Sequence, residues 1–384
     1  MRKTRGAFPA ARLILCGLAI SPAVIGSAYG AATDARFSTP QGLALDASGN
    51  LYVADLSSSR IRKIATNGAV TTLAGGTYGM ADGTGAAAKF AYPSGIAVDA
   101  VGNLFVVDQN NHNVRKVTPA GVVTTFAGTA DGTQFGTTDG IGTAARFNGA
   151  AGIGIDTSGN LYVADYNNNS LRKITPAAVV TTVATGLQGA AAVALDASGI
   201  AYVACANDGT IMKVTADGSV STFLTGLSTV YSTGGPQGVA VALHTDPSNN
   251  LYITDAGDSV VYKVSSVGVK TVLAGTLHSA SSDHDGVGTA ATFDFPTGIA
   301  VYDPSTLYVA DYNASTIRKI SISGTTATVT TYAGKAYDPG TADAVGALVT
   351  PAVTLWHVAL AGLVAIVFLL TVQRRRARSQ LVEA

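Results

Sequence analysis

One hexapeptide returns six times along this chain, and that repetition limits the fold more than any other feature. Asn50-Leu51-Tyr52-Val53-Ala54-Asp55 comes back at 103–108 (NLFVVD), 160–165 (NLYVAD), 200–205 (IAYVAC), 250–255 (NLYITD) and 306–311 (TLYVAD). The copies are 53, 57, 40, 50 and 56 residues apart. Each sits in the same flanks, so chance does not explain the register.

Each copy reads as four short strands. In the second, residues 95–98 form strand a and the Asp99-Ala100-Val101-Gly102 turn leads into strand b at 104–107. Asp can bond the backbone of its own turn, and Gly takes positive φ without penalty. A loop at 108–113 precedes strand c at 114–117, and Gly121 separates it from strand d at 122–126. The runs are β-branched and aromatic, as strands require. The turn Asp recurs at Asp46, Asp99, Asp156, Asp196, Asp246 and Asp303. Four-stranded units of this length are the blades of β-propellers, in which small sheets hide both apolar faces by packing around an axis. The fold predicted is all-β: a six-bladed propeller of four-stranded antiparallel blades over residues 31–335.

The units resemble the NHL-repeat family. Pro-x-Gly opens strand a at Pro40-Gln41-Gly42, Pro93-Ser94-Gly95, Pro236-Gln237-Gly238 and Pro296-Thr297-Gly298. The hexapeptide follows, then Ile61-Arg62-Lys63-Ile64, Val114-Arg115-Lys116-Val117 or Ile317-Arg318-Lys319-Ile320, and finally Thr72-Leu73-Ala74-Gly75 or Thr125-Phe126-Ala127-Gly128. The resemblance spans roughly residues 37–335. Unit four departs from it: it lacks the Pro, has Cys205 for the strand-b Asp, and has Met212 for the strand-c Arg. No strand-sharing clasp between the termini is evident in the sequence.

The ends read as addresses. Arg2 to Arg12, an apolar core from Leu13 to Ile25, and Ala28-Tyr29-Gly30 make residues 1–30 a signal peptide. Residues 353–372 are apolar, about the ~30 Å of a hydrocarbon layer at ~1.5 Å per residue, and Arg374-Arg375-Arg376 follow. The expectation is a C-terminal transmembrane helix, a short basic cytoplasmic tail at 373–384, and a linker at 336–352. A processed surface-sorting signal is the alternative for this segment. The propeller would then lie outside the cytoplasm.

Charge and composition narrow the function. Between the two basic ends lie 16 basic residues against 23 Asp, a net of about −7. Nucleic acid, which needs a basic patch, is not an expected partner. Glu383 is the chain's only Glu, so carboxylate chemistry in the domain would fall to Asp. Cys205 is single there, so no internal disulfide forms.

Alternating strands put the b–c loops and the d-to-a connections on one face. The b–c loops are amide-rich, and Asn110, Asn111, His112, Asn167, Asn168 and Asn313 are the candidate ligand-binding residues. Asn168-Asn169-Ser170 and Asn313-Ala314-Ser315 are also glycosylation sequons, relevant in a eukaryotic host. Three d-to-a connections share a second motif, beginning at Asp82-Gly83, Asp139-Gly140 and Asp285-Gly286 and ending at Phe90, Phe147 and Phe293. The expectation is a Gly turn and a Phe lodged between blades. The strand-b Asp is expected to bond backbone amides of its own loop.

Enzymes occur among propellers, and two types bear on this chain. Lactonase-type propellers hold a divalent ion with Glu, Asn and Asp, and Glu is missing here. Amidating-lyase propellers of the NHL type use zinc, and the domain's His112, His244, His278 and His284 are irregularly spaced. The reading is therefore a membrane-anchored extracytoplasmic scaffold with no cofactor, binding a protein or glycan. A periplasmic or surface hydrolase or lyase with a metal is the alternative.

Overall fold

The computed structural model describes residues 32–229, 243–279 and 282–344. The expected leader, membrane segment and tail lie outside the described residues. Among the described residues, no helix is long and apolar enough to cross a membrane.

Six antiparallel sheets form, each with strands a to d in chain order. Blade one comprises Pro40–Leu45, Leu51–Asp55, Arg60–Ile64 and Val70–Gly75. Blade two comprises Pro93–Val98, Leu104–Asp108, Asn113–Val117 and Val122–Gly128, and blade three Ala150–Ile155, Leu161–Asp165, Ser170–Ile174 and Val179–Thr185. Blade four comprises Ala190–Leu195, Ala201–Cys205, Thr210–Val214 and Val220–Leu224, and blade five Leu243–Thr245, Leu251–Asp255, Val260–Val264 and Lys270–Ala274. Blade six comprises Pro296–Asp303, Thr306–Asp311, Thr316–Ser323 and Thr326–Gly334.

Blades one, four and five have the four strands expected, but blades two, three and six have more. Gly83–Thr84, Gly140–Ile141 and Gly286–Val287 each pair with strand d of blades two, three and six, so those sheets have five strands. The extra strand covers the outer edge, where unpaired N–H and C=O groups would otherwise face water.

Both faces of each blade are buried, which explains why strand b is apolar throughout rather than alternating. All five residues of Leu51–Asp55, and of its four complete equivalents in blades two to five, are buried. The core is a series of seams. Leu43, Val53 and Ile64 of blade one pack with Ala300, Tyr308 and Ile317 of blade six. Ala44, Tyr52 and Ile61 on the opposite face pack with Ile96, Val106 and Val117 of blade two. At ~1.5–3 kcal/mol per fully buried large aliphatic side chain, these seams are the main driving force for ring formation.

Two sequence motifs acquire causes. The turn Asp works as expected: Asp46 Oδ1 accepts from the amides of Ser48 and Asn50, both at 2.9 Å, and Asp99 repeats this with Val101 and Asn103. The Gly of Pro-x-Gly, and Gly152 at the same place in blade three, where Ala150 replaces the Pro, lie where neighbouring strands a touch near the axis. A Cβ on Gly42, Gly95, Gly152 or Gly298 would stand 2.1, 2.5, 2.6 or 1.9 Å from a carbonyl oxygen of the adjacent blade. Beyond this constriction is an axial cavity of about 260 Å³, lined by aliphatic side chains including Leu43, Leu45, Ile96, Ile153, Val193 and Ile299.

The termini close the ring, correcting two expectations. Residues 336–344 are part of the propeller rather than linker, and a clasp does exist. Ala344 bridges Val70 of blade one, as Gly83 bridges Val123 of blade two. Arg36 N donates to Ala342 O at 3.0 Å, and Gly340 N to Phe37 O at 2.9 Å. The same bonds join Lys89 to Ala81 and Gly79 to Phe90 within the continuous loop before blade two. The loop that is one covalent segment elsewhere is assembled here from the two ends of the domain.

Candidate ligand-binding face

The strand-c Arg was read from sequence only as part of a repeat signature; the structure makes it the centre of each complete blade. Arg62, Arg115, Arg172 and Arg318 are 0% exposed. Each Nη1 faces the strand-b Asp of its own blade: Arg62–Asp55 3.5 Å, Arg115–Asp108 2.9 Å, Arg172–Asp165 3.0 Å and Arg318–Asp311 3.2 Å. Each Nη2 reaches the Asp of the Asp-Gly loop: Asp343, Asp82, Asp139 and Asp285, at 2.9, 2.6, 2.8 and 2.8 Å. Each guanidinium also lies 5.2–5.5 Å from the ring of the buried loop Phe: Phe37, Phe90, Phe147 and Phe293. Charged hydrogen bonds and cation–π contact thus clamp the d-to-a loop onto the blade.

The strand-b Asp does bond backbone: Asp255 of blade five accepts from Asp258 N of its own loop at 3.1 Å, but in the blades with the Arg the amide comes from elsewhere. Asp55, Asp108, Asp165 and Asp311 accept from the amides of Ser38, Ala91, Asn148 and Asp294, just before strand a. Burial pushes the Asp55 and Asp108 carboxyls up to about 6, with the guanidinium pulling the other way. Burial and nearby Asp283, which also meets Arg318, raise Asp311 well above the usual carboxylate range.

Blades four and five show the logic by its loss. Blade four replaces Asp with Cys205 and Arg with Met212 together, leaving no unpaired buried charge. Burial pushes the Cys205 thiol up to about 12, far from a reactive thiolate. Blade five keeps Asp255 but has Tyr262, whose hydroxyl donates to Asp258 at 2.6 Å.

The six candidate residues divide in two. Asn111 and Asn168 turn inward. Asn111 Nδ2 bridges Gly79 O (2.9 Å) and Asp108 Oδ2 (2.7 Å), and Asn168 Nδ2 bridges Gly136 O (2.7 Å) and Asp165 Oδ2 (2.8 Å). Their amides fasten the loop to the clamp and are occupied by it. Asn110, His112, Asn167 and Asn313 stay on the face, partly or largely exposed. Asn313 Nδ2 donates to Asp294 at 3.1 Å, on blade six. His112 Nδ1 accepts from Gly149 N at 3.2 Å, which fixes a neutral ring, and burial lowers its pKa.

Sequence reasoning missed the aromatics beside these amides. Tyr78 (57% exposed) and Phe135 (63% exposed) hold the same position in successive loops, each just before the Gly whose carbonyl an inward Asn bonds. Tyr78 meets Tyr92 edge-on at 5.5 Å and lies 3.5 Å from Asn110 Nδ2, while Phe135 lies 5.5 Å from His112. The signal was present as Tyr78-Gly79 and Phe135-Gly136. An arc of aromatic and amide groups thus runs over blades two and three.

His278 and His284 do not join it. His278 follows strand d of blade five with Nδ1 3.8 Å from Asp258, and His284 lies beside Thr292 in the loop before blade six. Among the described residues, no three His, Cys, Asp or Glu side chains stand together as metal ligands.

Comparisons with known proteins agree with this architecture. The model of the NHL repeat matches residues 37–64, 90–117 and 147–174, which are blades one to three from the loop Phe to the end of strand c. NHL repeat-containing protein 2 of Bos taurus is 36% identical over 156 residues, covering 36% of this chain and 21% of that protein. The chain therefore spans about a fifth of that relative. Among solved structures, a Bacteroides thetaiotaomicron protein of unknown function superposes with a TM-score of 0.59 at 20% identity, covering 75% of this chain and 73% of the other. A gluconolactonase of Xanthomonas campestris superposes at 0.51 with 15% identity, covering 78% and 88%. These likenesses establish the fold, which enzymes and non-enzymes share. The chain thus carries NHL repeats in blades one to three of a six-bladed β-propeller.

Proposed function

We propose that this chain is a membrane-anchored, extracytoplasmic scaffold that captures a protein or glycan on the b–c loop face of its propeller. The carrying observation is the exposed arc of Tyr78, Asn110, His112, Phe135 and Asn167. It is mounted on loops that the arginine clamps hold rigid, and rigid scaffolds presenting loops are where binding resides. The buried Arg and Asp groups of the complete blades are engaged in holding those loops.

The leader at 1–30 and the apolar run at 353–372 support anchoring. The described chain ends at Ala344 against Val70, the first residue of strand d. The strand register puts this at the a–b turn end, opposite the arc. The intervening residues 345–352 reach at most roughly 29 Å, so an anchor there would keep the turn face near the membrane and leave the arc outward.

The test is capture by the full chain in detergent from surface extracts, comparing the natural protein with an Asn110→Ala/His112→Ala/Asn167→Ala variant. The expected result is a discrete ligand that the variant loses while melting at the same temperature. Equal capture by both proteins contradicts the reading.

A further inference from the structure

Every described start of strand a needs a left-handed residue just before it, and the blades fill that position differently. Blades three and four use Gly149 and Gly189, at φ +59° and +65°. Blades one, two and six use Thr39, Tyr92 and Phe295, at φ +55°, +57° and +67°. A β-branched or aromatic residue at positive φ is strained. Gly would satisfy the same backbone without strain, as it does in two neighbouring blades. Strain kept at repeated positions on one face, where an unstrained solution exists in the same chain, indicates that the side chains are needed.

At Tyr92 the requirement is visible. Its half-buried ring forms an edge-on corner with exposed Tyr78, beside Asn110. Further along the arc are neutral His112, Phe135 and Asn167. None of these six side chains carries a charge. Flat apolar rings alternating with uncharged amide donors and acceptors match a ligand that has apolar C–H faces edged by hydroxyls. We infer that the arc over blades two and three is a binding site for a neutral polysaccharide, with Tyr92 and Tyr78 as the stacking corner.

This rests on the proposed binding role of the loop face and names its ligand class. The test uses the full chain in detergent, with affinity electrophoresis and calorimetry against a neutral glucan, a neutral mannan and a polyuronate. The variants are Tyr92→Gly, Tyr92→Phe and Tyr78→Ala. The expected result is binding to a neutral polymer and none to the polyuronate. Tyr92→Gly and Tyr78→Ala should weaken binding at least tenfold, and Tyr92→Phe should retain it. Tyr92→Gly should melt no lower than the natural protein, because the strain is relieved. Preference for the polyuronate, no binding to either neutral polymer, undiminished binding by Tyr92→Gly, or a lower melting temperature for Tyr92→Gly would each overturn the inference. A captured protein ligand that depends on Asn110, His112 and Asn167 would overturn it too, while leaving the broader role standing.

Discussion

At the scale of residues, the decisive group is an arginine with nowhere to go but inward. Arg62 and Lys63 are neighbours on one strand, so their side chains leave on opposite faces. Arg62 is fully buried, while Lys63 lies over the ring of Tyr52 with its ammonium 5.6 Å away. Removing one partner of a buried ion pair costs ~3–5 kcal/mol because the other charge is stranded. Arg115→Met should therefore destabilise by about that much in urea unfolding. Adding Asp108→Cys, which copies the Cys205 and Met212 pairing of blade four, should recover part of the loss. If the double variant is no more stable than Arg115→Met alone, charge compensation is not why blade four lost both residues together. The sequence showed the repeat of Arg but not its burial. With both faces of a blade hidden, periodicity does not say which of two adjacent cations lies inside.

At the scale of elements, the strands and turns were legible because local chemistry specifies them: an Asp for its own turn, Gly for positive φ, and β-branched runs. The Asp-Gly loops were legible as loops with a fixed shape, and their Phe residues are buried between blades as expected. Their role as fifth strands was not, because pairing of two residues with a distant strand leaves no periodic trace. The binding face was half legible. Amide-rich loops were identified, yet Asn110 and Asn111 are adjacent and only the three-dimensional turn separates the exposed amide from the bridging one. The Gly of Pro-x-Gly offers an element-scale test. Gly298→Ala would place a Cβ 1.9 Å from Gln41 O in blade one, between backbones that cannot give easily. Overpacking of this kind typically costs ~1–3 kcal/mol. Gly199→Ala, in open space but at φ +81°, is the control: it carries backbone strain without crowding, whereas Gly298 lies outside the positive-φ region. A cost for Gly298→Ala no larger than for the control would show that strands a do not meet there.

At the scale of the whole molecule, a ring of six sheets must be joined where its chain begins and ends. The sequence contained the joint in two fragments. Ala342-Asp343-Ala344 matches Ala81-Asp82-Gly83, and Ala35-Arg36-Phe37 matches Ala88-Lys89-Phe90. A motif broken across the termini cannot be seen as one motif until the fold brings its halves together. Asp343 then meets Arg62 at 2.9 Å and accepts from Thr72 Oγ1 at 3.0 Å, as Asp82 meets Arg115 and Thr125. The most direct test of this closure is a double-mutant cycle on the full chain between Arg62→Met and Asp343→Ala, residues 281 positions apart, read by denaturant unfolding. The account expects a coupling of ~1–3 kcal/mol between them. Additivity within ~0.5 kcal/mol would mean that the ends do not meet and the ring is not closed this way.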